Sequence, residues 1–218
     1  MKVGIIGSGI GGLATAIRLA NKGYEVHVFE KNLHPGGKLF ELTSDGYRFD
    51  GGASIFTLPE LIDELFTQCG EKREDYFTYS KLDVSCKYFY EDGSEFIFYY
   101  DREKLYNEVE KKTRDTVASM KEHLEKAEEA FRVGADVFLF SSLYKLKNYF
   151  TEAYKGVLFN IGKLDPFRSM HKANRSRFKD DRLIRLFDRY ATYNGSDPYR
   201  APATLNMIAH LENNLGTF

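Results

Sequence analysis

Val3-Gly4-Ile5-Ile6-Gly7-Ser8-Gly9-Ile10-Gly11-Gly12 sets a short apolar run directly before a GxGxxG pattern. The apolar run predicts a strand. Leu13 to Ala20 continues with apolar residues at helical spacing, Gly23 ends that helix, and Val26-His27-Val28-Phe29 predicts a second strand with Glu30 at its C-terminal end. Each glycine has a physical task in such a unit. Gly7 permits the tight strand-to-helix turn, Gly9 lets the backbone approach a pyrophosphate, and Gly12 lets the helix pack on the strands. Helix amides and the positive end of the helix dipole then receive phosphate oxygens, so Gly7, Ser8, Gly9, Ile10, Gly11 and Gly12 form a candidate phosphate loop. Glu30, 23 residues after Gly7, can accept hydrogen bonds from ribose hydroxyls and would repel a 2′-phosphate. NADP is therefore disfavoured, and NAD and FAD both remain open. A lone GxGxxG is weak evidence; strand, glycines, helix, strand and acid in this order are strong.

The same segment superficially resembles a secretory signal, with Lys2, an uncharged run to Ile17 and the small residues Ala14-Thr15-Ala16. Five glycines within it would break the helix a signal core needs, so it is read as the nucleotide-binding unit. No stretch approaches the length of a membrane span; the run Val137 to Tyr144 is far too short.

After Glu30 come Lys31, then Pro35-Gly36-Gly37-Lys38 and Tyr47-Arg48-Phe49-Asp50-Gly51-Gly52. The Glu-Lys pair, the Gly-Gly-Lys loop and the Phe-Asp-x-Gly run resemble the flavoprotein superfamily that includes amine oxidases and phytoene desaturases. The segment Arg189 to Phe218, with Asn194-Gly195, Asp197-Pro198-Tyr199 and Ala201-Pro202-Ala203-Thr204, is similar to a stretch of bacterial carotenoid desaturases, as are Leu82-Asp83-Val84 and Tyr90-Glu91-Asp92-Gly93. The resemblance runs through nearly the whole chain. It implies an α/β, Rossmann-like FAD-binding fold of the glutathione-reductase or amine-oxidase type, joined to a mixed α+β substrate domain. It also implies FAD as cofactor, with Lys31, Gly36, Gly37, Lys38 and Gly52 added to the binding set, and an apolar polyene as substrate. Phytoene and hydroxylated carotenoids are not separated by these motifs. Isomerase, saturase and amine oxidase activities of the same superfamily, and a prenyl-binding module without flavin chemistry, stand as rivals.

In the middle of the chain, Thr57-Leu58-Pro59-Glu60 predicts a capping box opening a helix to about Gly70. Tyr88–Tyr90 and Phe96–Tyr100 predict strands joined by the turn Glu91-Asp92-Gly93-Ser94, and from Glu103 the pattern is mainly helical. Residues 131–159 hold eight aromatics interleaved with Arg132, Lys145, Lys147 and Lys155, which suits either a monotopic membrane surface or helices packed on their own core. Arg168 to Arg189 carries eight Lys and Arg against three Asp, and without a stacking platform it reads as a solvated helix face; no nucleic-acid partner is expected.

The formal net charge of −1 gives no argument for a polyanionic partner, while 15% aromatic residues without tryptophan suit an apolar core or substrate. Cys69 and Cys86 show no paired spacing and read as reduced core filler, and the five histidines lack metal-ligand spacing, so no metal site is expected. A dinucleotide fold needs several parallel strands, yet only two are evident here. The expectation is a truncated chain: residues 1–75 a βαβ unit of a discontinuous FAD domain, 76–218 part of the substrate domain, and the C-terminal half of the same protein missing. Such a piece would be inactive alone. No general base can be singled out among the His, Asp and Arg residues of 165–200. The whole enzyme is expected in the cytoplasm, on the inner face of the membrane if the aromatic stretch meets lipid.

Overall fold

The computed structural model describes all 218 residues, which fall into two units, residues 1–80 with Phe218, and residues 81–217. In the first, β1 (Lys2–Ile6), α1 (Ile10–Asn21) and β2 (Glu25–Phe29) form the βαβ unit, with β1 and β2 parallel from Lys2↔Glu25 to Ile6↔Phe29. Gly23 ends α1 in the left-handed region (φ +84°), as a C-terminal glycine can at no steric cost.

β3 (Glu41–Ser44) and β4 (Tyr47–Asp50) form an antiparallel hairpin where the sequence reading expects loops. Its turn is Asp45-Gly46, both at positive φ (+51° and +81°), the backbone that a tight hairpin's right-handed twist requires. α2 (Glu60–Gln68) starts at Pro59, and no side chain caps it. The capping box expected at Thr57 does not form, because Leu58 takes a left-handed conformation (φ +52°) and turns the chain away. Asn21 donates to the Gln68 carbonyl at 2.7 Å, tying α1 to the end of α2. Few side chains of this unit are buried: Ser8, Pro59 and Leu65. Ile6 (94% exposed) and Phe29 leave an apolar strand end open to solvent.

The second unit carries a dense core. β5 (Val84–Phe89) and β6 (Glu95–Tyr99) pair antiparallel with a bulge at Ser85, between Val84 and Cys86. α3 (Arg102–Lys112) is capped by Asp101, which accepts from the Lys104 amide at 2.9 Å. α4 (Val117–Phe138), 22 residues long, opens with a reciprocal cap between Thr116 and Ser119. Then come α5 (Glu152–Phe159), α6 (Ile161–Leu164), α7 (Met170–Arg177), α8 (Asp181–Asp188), two 3₁₀ segments (Arg189–Asn194 and Ala203–Met207) and α9 (Ile208–His210), which widens into a π-turn over Leu211–Leu215. Phe96, Phe98, Leu105, Val109, Met120, Leu183 and Phe187 are almost fully buried together. Phe187 stacks on Phe178 (centroids 5.1 Å apart, planes 3° apart) and meets Phe98 edge-on at 6.4 Å. At the ends of this unit the Leu82 amide donates to the Thr217 carbonyl at 3.0 Å.

Cys69 is exposed and Cys86 half-buried, so neither fills the core as the sequence reading expects. The basic stretch 168–189 is also only partly a solvated face. Lys172, Arg175, Lys179 and Arg185 are exposed, whereas Arg182 pairs with Asp180 (2.9 Å) and Arg189 with the buried Glu212 (2.5 Å). The aromatic stretch divides in the same way. Phe131 packs on the core and Tyr154 is buried, while Phe138, Phe140, Tyr144, Tyr149, Phe150 and Phe159 are exposed.

Candidate dinucleotide-binding site

The Gly7 amide donates to the Phe29 carbonyl at 2.7 Å, which closes the β1–α1 turn over the end of β2. Gly7 sits at φ +95°, a conformation that side-chain-bearing residues rarely adopt. Gly12 is glycine for a different reason. A Cβ there would lie 2.1 Å from the Gly7 carbonyl oxygen, so the first turn of α1 could not seat against the loop. Gly9 and Gly11 have neither reason. Gly9 has ordinary extended backbone (φ −67°, ψ 172°), and a Cβ on it would meet only Gly37 Cα at 3.8 Å; a Cβ on Gly11 would meet nothing within 4 Å.

Gly9 caps α1 without a side-chain hydrogen bond, so the opening amides of the helix have no intrahelical partner. Ile10, the first helical residue, is about half exposed, and Ser8 beside it is buried.

A second loop comes up against the first. Gly9 and Gly36 form a parallel bridge, and the Gly36 amide donates to the Ser8 carbonyl at 2.9 Å. Gly37 follows at φ +64°, where an added Cβ would sit 2.9 Å from Gly9 Cα. Gly52 presses on the backbone of Lys38 so closely that a Cβ would lie 1.7 Å from its carbonyl oxygen. The structure thus gathers Gly9, Gly36, Gly37, Lys38 and Gly52 in one place, although they span more than forty residues of sequence. The Lys31 and Lys38 side chains point to solvent.

Glu30 closes the site. Its Oε2 accepts from the Ser8 amide (2.8 Å) and hydroxyl (2.9 Å), and its Oε1 from the Asn32 amide and side chain, both at 2.9 Å. Backbone donation by Ser8 first, then by Asn32, holds the carboxyl at about 2, against 4.5 for a free glutamate. Four donors fill the lone pairs of this carboxylate, so any further donor must displace the Ser8 hydroxyl or the Asn32 amide group. Sequence reasoning did not find Asn32, although Asx side chains two residues past an acid at a strand end are a local signal for such a bond.

Among the base candidates of 165–200, His171 and Asp188 are hydrogen-bonded (Nδ1 to Oδ2, 2.7 Å), with Asn174 donating to the other Asp188 oxygen at 2.8 Å and the Tyr199 ring tilted 32° against the imidazole at 4.2 Å. The second unit also holds an apolar groove of about 500 Å³, lined by Phe138, Leu139, Leu205, Met207, Ile208 and Leu211.

Parallel βαβ topology, the glycine loop and the acid at the end of β2 define a Rossmann-like nucleotide-binding unit, and residues 5–69 match the family model of the NAD(P)-binding Rossmann-like domain. Over 98% of its length the chain is 41% identical to a 1-hydroxycarotenoid 3,4-desaturase of Flavobacterium sp., and it covers 43% of that protein. It is 33% identical over 99% of its length to a 4,4'-diapolycopene oxygenase of Methylomonas sp, again covering 43%. A zeta-carotene-forming phytoene desaturase of Myxococcus xanthus is 29% identical over 99% of the chain, which covers 41% of it. The chain is thus a homologue of carotenoid desaturases and oxygenases, and spans under half the length of these relatives. Among solved structures, a putrescine oxidase aligns with 96% of this chain at a TM-score of 0.56 and 16% identity, 41% of the oxidase being covered, which supports the fold alone.

Proposed function

We propose that the chain supplies the FAD-binding front of an oxidoreductase that removes hydrogen from an allylic carbon–carbon bond of a carotenoid. The observation that carries the reading is the pair Gly9 and Gly11. Neither the backbone nor the packing of this chain requires glycine at these positions, and both lie at the open N-terminus of α1. Bare backbone at a helix start is what a pyrophosphate needs for close approach. Bound FAD supplies the hydride acceptor. The chain's own tasks are to take the phosphate charge on the first amides of α1, to receive ribose on Glu30, and to brace the loop through Gly36, Gly37, Lys38 and Gly52. The apolar groove of the second unit suits a hydrocarbon chain, with no charged side chain in its lining. Resemblance to a 1-hydroxycarotenoid desaturase favours a hydroxylated polyene over phytoene.

The exposed side chains of Tyr144, Leu146, Phe150, Phe159 and Phe167, each at least 78% accessible and set among Lys145, Lys147 and Lys155, suit a face that dips into a lipid interface and collects an apolar substrate there. No helix is long and apolar enough to cross a membrane. This reading places the enzyme in the cytoplasm, on the inner membrane face. The test is anaerobic reduction of flavin in the protein purified as its gene encodes it. Bleaching of the flavin by a hydroxylated carotenoid supports the proposal. Absence of flavin, or bleaching by amines and not by carotenoids, overturns it.

A further inference from the structure

The function proposed above leaves unused a cavity of about 330 Å³ within the second unit, bounded by α4, α6, α7 and the Ala203–Met207 turn. Its charged lining sets Lys126, Lys163, Arg168 and Arg177 against only Glu129 and Asp165. Three of the cations have partners: Lys126 with Glu122 (2.6 Å), Lys163 with Glu129 (2.9 Å) and Arg168 with Asp165 (2.9 Å). Arg177 has no carboxylate within ion-pair distance. Its Nη1 donates to Nδ1 of His123 at 3.1 Å, and His123 is fully buried and held neutral by that burial, so it orients the guanidinium without neutralising it. Burial works most strongly against the charge on Arg177 and Arg168 adds to it, while Glu122 and Asp165 favour it from a distance. Asn206, only 8% exposed, lines the same cavity, and its side-chain oxygen has no hydrogen-bond partner.

A half-buried guanidinium without a bonded counter-ion can take an anion, and an orphaned buried carbonyl calls for a hydroxyl or N–H donor. One ligand that brings both is a phosphate ester with a free hydroxyl. We propose that this cavity binds a glycerophosphate group. The exposed apolar residues Ile161 and Phe167 (90% exposed) flank, in sequence, the lining run from Gly162 to Asp165. A phosphatidylglycerol headgroup would reach the cavity from that side; this lipid source rests on the membrane reading above, whereas the binding chemistry does not.

Calorimetric titration of the full chain with sn-glycerol 3-phosphate, and pelleting with phosphatidylcholine vesicles with and without phosphatidylglycerol, test the proposal. Arg177→Gln removes the charge that lacks a bonded partner, and Arg168→Gln, at an exposed position, frees Asp165 to repel an anion. Arg177→Gln is expected to weaken binding roughly tenfold or more, the loss of one charge-assisted hydrogen bond, and Arg168→Gln to weaken it through the repulsion by Asp165. Binding of glycerol phosphate without any preference for phosphatidylglycerol upholds the site with a soluble ligand. Pelleting that needs both phosphatidylglycerol and Arg177 upholds it with a lipid headgroup. Unchanged affinity in both variants, or no binding of either probe by the wild-type chain, overturns it. Pelleting on pure phosphatidylcholine that ignores Arg177, with no uptake of glycerol phosphate, would discard the cavity and leave the membrane face standing.

Discussion

Gly11→Ala and Gly12→Ala should have opposite effects on stability and the same effect on ligand binding. At Gly12 the added methyl meets the Gly7 carbonyl oxygen at 2.1 Å, so α1 must withdraw from the loop by roughly 1 Å, which should cost about 1–3 kcal/mol as in other overpacked contacts. At Gly11 the methyl meets no protein atom, and within α1 alanine gains up to about 1 kcal/mol over glycine. Urea unfolding should therefore leave Gly11→Ala as stable as wild type or more so, and lower the midpoint for Gly12→Ala. FAD binding, followed by flavin fluorescence, should weaken at least about tenfold in both, because a methyl at Gly11 displaces the pyrophosphate from amides whose charge-assisted bonds are worth about 1.5–3 kcal/mol each. If Gly11→Ala binds FAD as wild type does, or unfolds as early as Gly12→Ala, the argument from open glycines is wrong.

Phe187→Ala removes a fully buried ring stacked on Phe178 and should cost about 3–5 kcal/mol in a denaturant titration. Glu212→Gln leaves the half-buried Arg189 without its counter-ion and should destabilise by up to about 3 kcal/mol, whereas replacing both partners together should recover part of that loss in a double-mutant cycle. His123 is buried neutral with its pKa well below 6.5, and burial lowers His210 in the same direction, so the unfolded chain binds protons that the folded chain does not. Stability should therefore fall as pH drops below about 6.5, by up to about 1.4 kcal/mol per pH unit for each such histidine, and His123→Gln should flatten a plot of melting temperature against pH. Glu30 runs the other way in group type and the same way in direction. Its depressed carboxyl contributes fully above pH 4.5, and that contribution is lost as pH falls towards about 2, so the chain's stability should decline over that window while Glu30 of the folded chain stays ionised.

The βαβ front was legible because each of its constraints is local: a glycine for a turn, a glycine for packing, an acid at a strand end. The β5–β6 hairpin was equally plain from its aromatic strands and Gly93. The β3–β4 hairpin was missed, though Asp45-Gly46 is a strong turn signal, because the glycines around it drew the stretch into a loop reading. Thr57 failed as a cap for a reason no local pattern carries, the left-handed backbone of Leu58. The cradle around Gly9 was only half visible. Spacing can suggest that Gly36 and Gly52 serve one site, but their contacts with Ser8, Gly9 and Lys38 exist only once the chain has turned back on itself. The charges of 168–189 divide into inward and outward sets according to which partner, Asp165, Asp180 or Glu212, tertiary structure brings near, and periodicity within the segment does not encode that.

The hydrogen bond from Leu82 to Thr217 lays the two ends of the second unit side by side, 3.0 Å apart at the bonded atoms. A segment whose entry and exit touch can be excised, or its ends spliced and new ones opened elsewhere, without lengthening any connection. The first and last residues of 81–217 lie together in this sense. Circular permutants opened at the exposed Asp92-Gly93 turn should keep the stacked Phe178–Phe187 core, and grafting the segment into another host loop should need no linker beyond that bonded pair.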